Sequence, residues 1–134
     1  MKITQEMIKE KMKVYNDLIK KNTYYMNIFL KTKDKDITEK IRNIIKFQNE
    51  FTKFTNTLSG KDKYIFLDEM IKYSDDLLKI FEYMLKKDYD KEENKINWKI
   101  LAKDIKRISK LRRKMENKYE DDDDEFFNYA AWFL

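Results

Sequence analysis

Residues 36–60 read DITEKIRNIIKFQNEFTKFTNTLSG, and the spacing of their apolar side chains decides the fold class. Ile37, Ile41, Ile44, Phe51 and Leu58 recur at steps of three, four or seven, which places them on one face of an α-helix. Asp36, followed by Glu39 three positions on, forms a capping-box pattern that starts such a helix. Gly60, the only glycine in the chain, can take the left-handed conformation that stops it.

The same period extends outward in both directions. Upstream, over residues 4–31, Met7, Ile8, Tyr15, Leu18, Tyr25, Met26 and Phe29 share a face, with Thr4 as N-cap and Glu6 in the first turn. Downstream, Ser59 or Asp62 can cap a third helix that presents Leu67, Met70, Ile71, Leu77, Leu78, Phe81 and Leu85 and ends in the polar stretch 86–94. A fourth, starting near Asn94 or Asn97, aligns Trp98, Leu101, Ile105, Ile108, Leu111, Met115 and Tyr119. Short connections between long helices imply antiparallel neighbours. The sequence therefore predicts an all-α fold, an antiparallel bundle of about four long helices over residues 1–119, followed by a tail at 120–134 with a short C-terminal aromatic segment. The competing architecture is a helical hairpin that completes its core as a homodimer.

Composition narrows the chemistry. The 134 residues include no His, Cys or Pro. Zinc sites, thiol nucleophiles, iron–sulfur clusters and His-based general bases cannot be built without Cys or His. A phosphate-cradling loop needs several glycines so that backbone N–H groups can approach the anion. The expectation is a protein that is not an enzyme and has no cofactor, no catalytic residues and no metal ligands. Asp68, Glu69, Asp75 and Asp76 make only a weak case for Mg²⁺, since nothing around them in sequence would support a bound ion.

Hydrophobic residues make up 42% of the chain and charged residues 41%. That apolar share suffices for a core, but no run approaches the ~18 residues of a membrane span. Residues 1–13 alternate charged and apolar positions instead of forming a signal-peptide core. Without Cys there is no disulfide to mark an oxidising compartment. These features predict a cytoplasmic protein with no membrane partner. The abundance of Lys, Asn, Ile and Tyr follows AT-rich codon usage and suggests a low-GC bacterium, its phage or a mobile element.

Charge is distributed unevenly. Residues 91–118 hold eleven Lys and Arg against four Asp and Glu. On a helical wheel Lys99, Lys103, Lys106, Arg107, Lys110, Arg113 and Lys114 fall on the face opposite the apolar stripe, a row able to track a phosphate backbone. Asp121, Asp122, Asp123 and Asp124 lie in an acidic run, and Phe126, Phe127 and Trp132 follow within a dense aromatic terminus. Six like charges repel one another, whereas exposed aromatic surface seeks cover, so the tail is expected to dock on its own chain or on a partner. Together these features predict a helical binding protein, a small regulator or inhibitor that occludes a surface of a larger protein or nucleoprotein. Direct nucleic-acid binding through the basic fourth helix is the alternative.

Each apolar stripe also carries a polar residue near its middle: Asn22, Gln48, Ser74 and Arg112. A guanidinium on an apolar face must be paired or reach solvent, and the expected partners of Arg112 are Asp68, Glu69, Asp75, Asp76 or the acidic run. Lys11 sits on the apolar face of the first helix. Phe47, Phe51, Phe54 and the pair Tyr24–Tyr25 read mainly as core, with Phe47 and Phe54 nearest the edge of the stripe and so the first to be expected at the surface.

Overall fold

In the computed structural model, which describes residues 2–86 and 90–116, the chain forms four helices: α1 (Gln5–Phe29), α2 (Lys35–Thr57), α3 (Gly60–Met84) and α4 (Lys91–Met115). There is no strand among the described residues. The fold is all-α, with helices packed on one another through the apolar faces that the three- and four-residue spacing marks out. No described helix is long and apolar enough to cross a membrane. The acidic and aromatic tail lies outside the described residues.

Local chemistry sets the helix starts. Thr4 caps α1 as expected, its hydroxyl accepting from Met7 N at 3.2 Å, and the helix runs unbroken through Asn22 and Thr23. Helix α2 starts slightly earlier than its sequence pattern suggests. Its cap is Asp34, which accepts from the backbone N–H groups of Asp36 at 3.0 Å and Ile37 at 3.3 Å. Asp36 thus falls in the first turn, where a carboxylate meets the positive end of the helix, and it also pairs with Lys40 at 2.9 Å.

Gly60 adopts φ +58°, the left-handed value anticipated at this break. Helix α4 begins at its cap Asp90, ahead of Asn94 and Asn97. The Tyr83 hydroxyl fixes that start: it accepts from Asp90 N at 3.2 Å and donates to Glu93 at 2.8 Å.

Two compact units divide the chain, one up to Asp68 and one from Glu69 onward. The first comprises α1, α2 and the first turns of α3. Its interior is aromatic: Phe51 stacks on Phe66 at 5.8 Å between ring centroids, Phe47 lies 4.4 Å from Phe51, and Phe54 meets Phe66 edge-on at 5.0 Å. Phe47 is core, as its spacing indicates, and only 1% exposed, its ring lying on Phe51; Phe54, at the other edge position, is half-buried. The Tyr15 hydroxyl and Thr52 Oγ1 are 2.7 Å apart and join α1 to α2. Lys11 bonds Asp68 and lies 4.8 Å over the Tyr64 ring, which resolves how a cation is accommodated on that apolar face.

The second unit is an antiparallel hairpin of the remainder of α3 with α4. Its register shows in the pairs Tyr83–Glu93, Asp76–Asp104 and Glu69–Arg107, which step down α3 as they step up α4. Leu77, Phe81, Trp98, Leu101, Ile105 and Ile108 are buried here.

Candidate functional site

Helix α4 presents the basic row that the wheel predicts. Lys99, Lys103, Lys110 and Lys114 are exposed and Lys106 is half-buried. These five have no ion-pair or hydrogen-bond partner among the described residues. From Lys99 to Lys114 the row spans roughly 22 Å at about 1.5 Å per residue, and Ile96 and Ile100, 59% and 44% exposed, extend the same face toward the helix start. Some other cations are answered within the chain, Lys11 by Asp68, Lys40 by Asp36, Lys79 by Asp75 and Lys95 by Glu92, whereas Lys9, Lys13, Lys20, Lys61 and Lys72, like the row on α4, have no such partner among the described residues. What sets the lysines of α4 apart is their alignment at helical spacing along one face.

Arg107 departs from the row. It bonds Glu69 across the hairpin and approaches Asp104 at 2.9 Å on its own helix. Arg113 has contacts of its own and is half-buried. Of the seven basic positions, Lys99, Lys103, Lys106, Lys110 and Lys114 form a row without partners among the described residues. The tail positions Asp121, Asp122, Asp123, Asp124, Phe126, Phe127 and Trp132 lie outside the described residues.

Arg107 reaches across to Glu69 on α3. Arg112 pairs with Glu116 one turn on, at 2.9 Å. The wheel places Arg112 inside the apolar stripe, and α4 ends at Met115. The Arg112 guanidinium stays partly buried, with Nη1 enclosed, and it has contacts besides Glu116; the acidic run lies outside the described residues.

Asp104 is the polar residue that sequence reasoning passed over. It sits between Leu101 and Ile108 in the apolar stripe, and an acid at that spacing is itself the signal. Its side chain is 3% exposed. Burial, with the Asp76 carboxyl within hydrogen-bonding reach, pushes Asp104 up to about 7, against the opposing pull of Arg107. The second oxygen, Oδ2, is buried without a donor among the described residues, so a proton held on Asp104 is favoured there beside the Asp76 carboxyl.

Asn22, Gln48 and Ser74 are all buried, as their mid-stripe positions implied. No group of three or more metal-ligating side chains occurs among the described residues, so the acids of α3 are drawn to lysine, arginine and Asp104 without forming an ion cage. What the arrangement can do is bind: an extended cationic face on one side of α4, and on the hairpin a carboxyl pair able to hold or release one proton. The chain matches no protein-family model, and neither a curated protein nor a solved structure shows significant similarity to it.

Proposed function

We propose that the chain is a non-catalytic helical binding protein, a small regulator or inhibitor that occludes a polyanionic surface of a larger protein or nucleoprotein through the outer face of α4. The observation that supports this reading is the row Lys99, Lys103, Lys106, Lys110 and Lys114, without partners among the described residues. An ammonium in water gains little from an isolated surface contact. Several aligned along one rigid helix face a polyanion together and release its condensed counterions on binding. A phage or mobile-element origin and a cytoplasmic setting, suggested by codon bias and the absence of Cys, complete the proposal. Tail residues Phe127 and Trp132 belong to it as a second contact.

Direct binding of nucleic acid is the second reading, favoured by the length and regular helical spacing of the same row. Capture of partners from a lysate with and without nuclease separates the two. For a duplex partner, five neutralised phosphates give a slope of about −4.5 in log affinity against log salt, so affinity drops roughly 500-fold from 50 to 200 mM. Reversal of Lys103, Lys106, Lys110 and Arg113 to Glu should abolish capture while leaving the helical content unchanged. Full capture by that variant would remove α4 from the site; full capture by a chain ending at Tyr119 would remove the tail.

A further inference from the structure

The α3–α4 hairpin carries a cleft of about 380 Å³, a size within the range of small-molecule sites. Ile80, Tyr83 and Ile100 give it apolar surface, and Asp76, Glu82 and Glu93 bring three carboxylates to it. Two lysines also line the cleft. Lys79 is answered by Asp75 at 3.1 Å, and the ammonium of Lys86 lies 5.9 Å over the Tyr83 ring. The ring face therefore already lies against a cation, from an exposed side chain. Asp76 provides the second, independent observation. Behind it stands Asp104, nine-tenths and more buried, with Oδ2 lacking a conventional donor.

We infer that this cleft binds an organic cation on a short aliphatic arm, an alkylguanidinium or alkylammonium group. The charge sits against Asp76 and Glu93 and the arm lies along Ile80, Tyr83 and Ile100. A carboxyl pair sharing one proton carries a single negative charge; a cation placed at Asp76 stabilises the doubly ionised pair. Binding therefore releases the shared proton to solvent, while the ligand keeps its own charge. The other charged groups near the pair are Glu69, Asp75, Lys79 and Glu82 on α3 and Glu93 and Arg107 on α4. The inference does not depend on the lysine row. Its ligand chemistry has two sources, a free small molecule or an Arg or Lys side chain of a protein.

The test is a titration of the full chain with n-butylguanidinium, followed by backbone amide chemical shifts at pH 6 and pH 8. The neutral n-butylurea is the control, and acetyl-Gly-Arg-Gly-amide is a second probe. Saturable shifts over residues 76–86 and 93–100 are expected, with Kd in the millimolar range for a ligand of this size. Affinity should be several-fold tighter at pH 8 and about tenfold weaker in Asp76→Asn and in Glu93→Gln. The second variant carries the test if circular dichroism shows that the first has lost helix.

Saturation by n-butylguanidinium identifies a free small molecule as a sufficient ligand, and saturation by the peptide alone identifies a side chain of a protein partner. The inference is overturned by absence of saturation with both probes, by equal binding of n-butylurea, by unchanged affinity in both variants, or by equal affinity at the two pH values.

Discussion

The two units solve the same problem, holding helices together, with different chemistry. In the unit up to Asp68 the central contacts are rings: Phe47, Phe51, Phe54 and Phe66, with the Tyr15–Thr52 hydroxyl pair beside them. In the hairpin from Glu69 onward, polar links run up the flank of an apolar core, from Tyr83–Glu93 through Asp76–Asp104 to Arg107–Glu69. Ring packing is indifferent to pH and salt. A partly buried ionic chain is sensitive to both and fixes register more than it adds stability. The contrast teaches that the hairpin is the part where a buried carboxyl, Asp104, ties stability to pH. It is also the part that carries the lysine row and the cleft.

The largest effect should come from breaking the aromatic side of the comparison. Phe51 is 0% exposed and touches both Phe47 and Phe66. Phe51→Ala removes a ring and leaves a cavity, at a cost of about 3–5 kcal/mol. Urea unfolding monitored by circular dichroism should show that loss equally at pH 5 and pH 8. A pH-dependent loss would show that the ionic links of the hairpin also govern the aromatic unit.

A smaller effect sharpens the ionic side. The carboxyl of Asp104, raised to about 7 in the folded chain, has an ordinary unfolded value near ~3.9. A raised acid binds more protons folded than unfolded, so its contribution to stability is fully present below the unfolded value and is lost as pH rises through about 7. With no His in the sequence, no other side chain ordinarily titrates between pH 5 and 8. Stability should therefore fall over that interval by on the order of 1–2 kcal/mol, after allowance for the partial screening of Asp76. Asp104→Asn should flatten the slope, since an amide can donate to Asp76 at any pH. A wild-type curve flat from pH 5 to 8 would mean that the pair holds no shared proton.

How much of this was legible in the sequence depends on the kind of signal. Helix number and faces follow from periodicity, a property summed over many residues, and Thr4 and Gly60 act through local backbone chemistry that short sequence patterns encode. The starts of α2 and α4 were displaced because several Asp and Asn residues compete for each cap and the choice is made by contacts a pattern does not contain: the two N–H groups reached by Asp34, and the grip of Tyr83 on Asp90 and Glu93. The link from Arg107 to Glu69, which the sequence pattern did not single out, has a related cause. A wheel records the direction of Cβ but not the reach of a guanidinium, nor the distance to the end of the helix. Of the lysine row, direction was sufficient, because short-range geometry alone keeps those side chains on one face.

The smallest effect compares the two Asp caps, one in each unit. Asp34 satisfies two N–H groups at the start of α2, whereas Asp90 satisfies that of Glu92 and is itself held by the Tyr83 hydroxyl through its backbone. Asp34→Ala leaves the first turn of α2 without its acceptor and should cost about 1 kcal/mol. In Asp90→Ala the backbone link to Tyr83 survives, so the start of α4 stays anchored and the loss should be smaller, roughly 0.5 kcal/mol. Amide hydrogen exchange is the measurement that distinguishes them: Asp34→Ala should accelerate exchange at Asp36 and Ile37, and Asp90→Ala should do so chiefly at Glu92. Tyr83→Phe in the Asp90→Ala background removes the remaining anchor, and the loss should then rise toward that of Asp34→Ala. If Tyr83→Phe adds nothing, the hydroxyl does not define the start of α4, and the early start must come from packing of the buried Asn94 and Trp98.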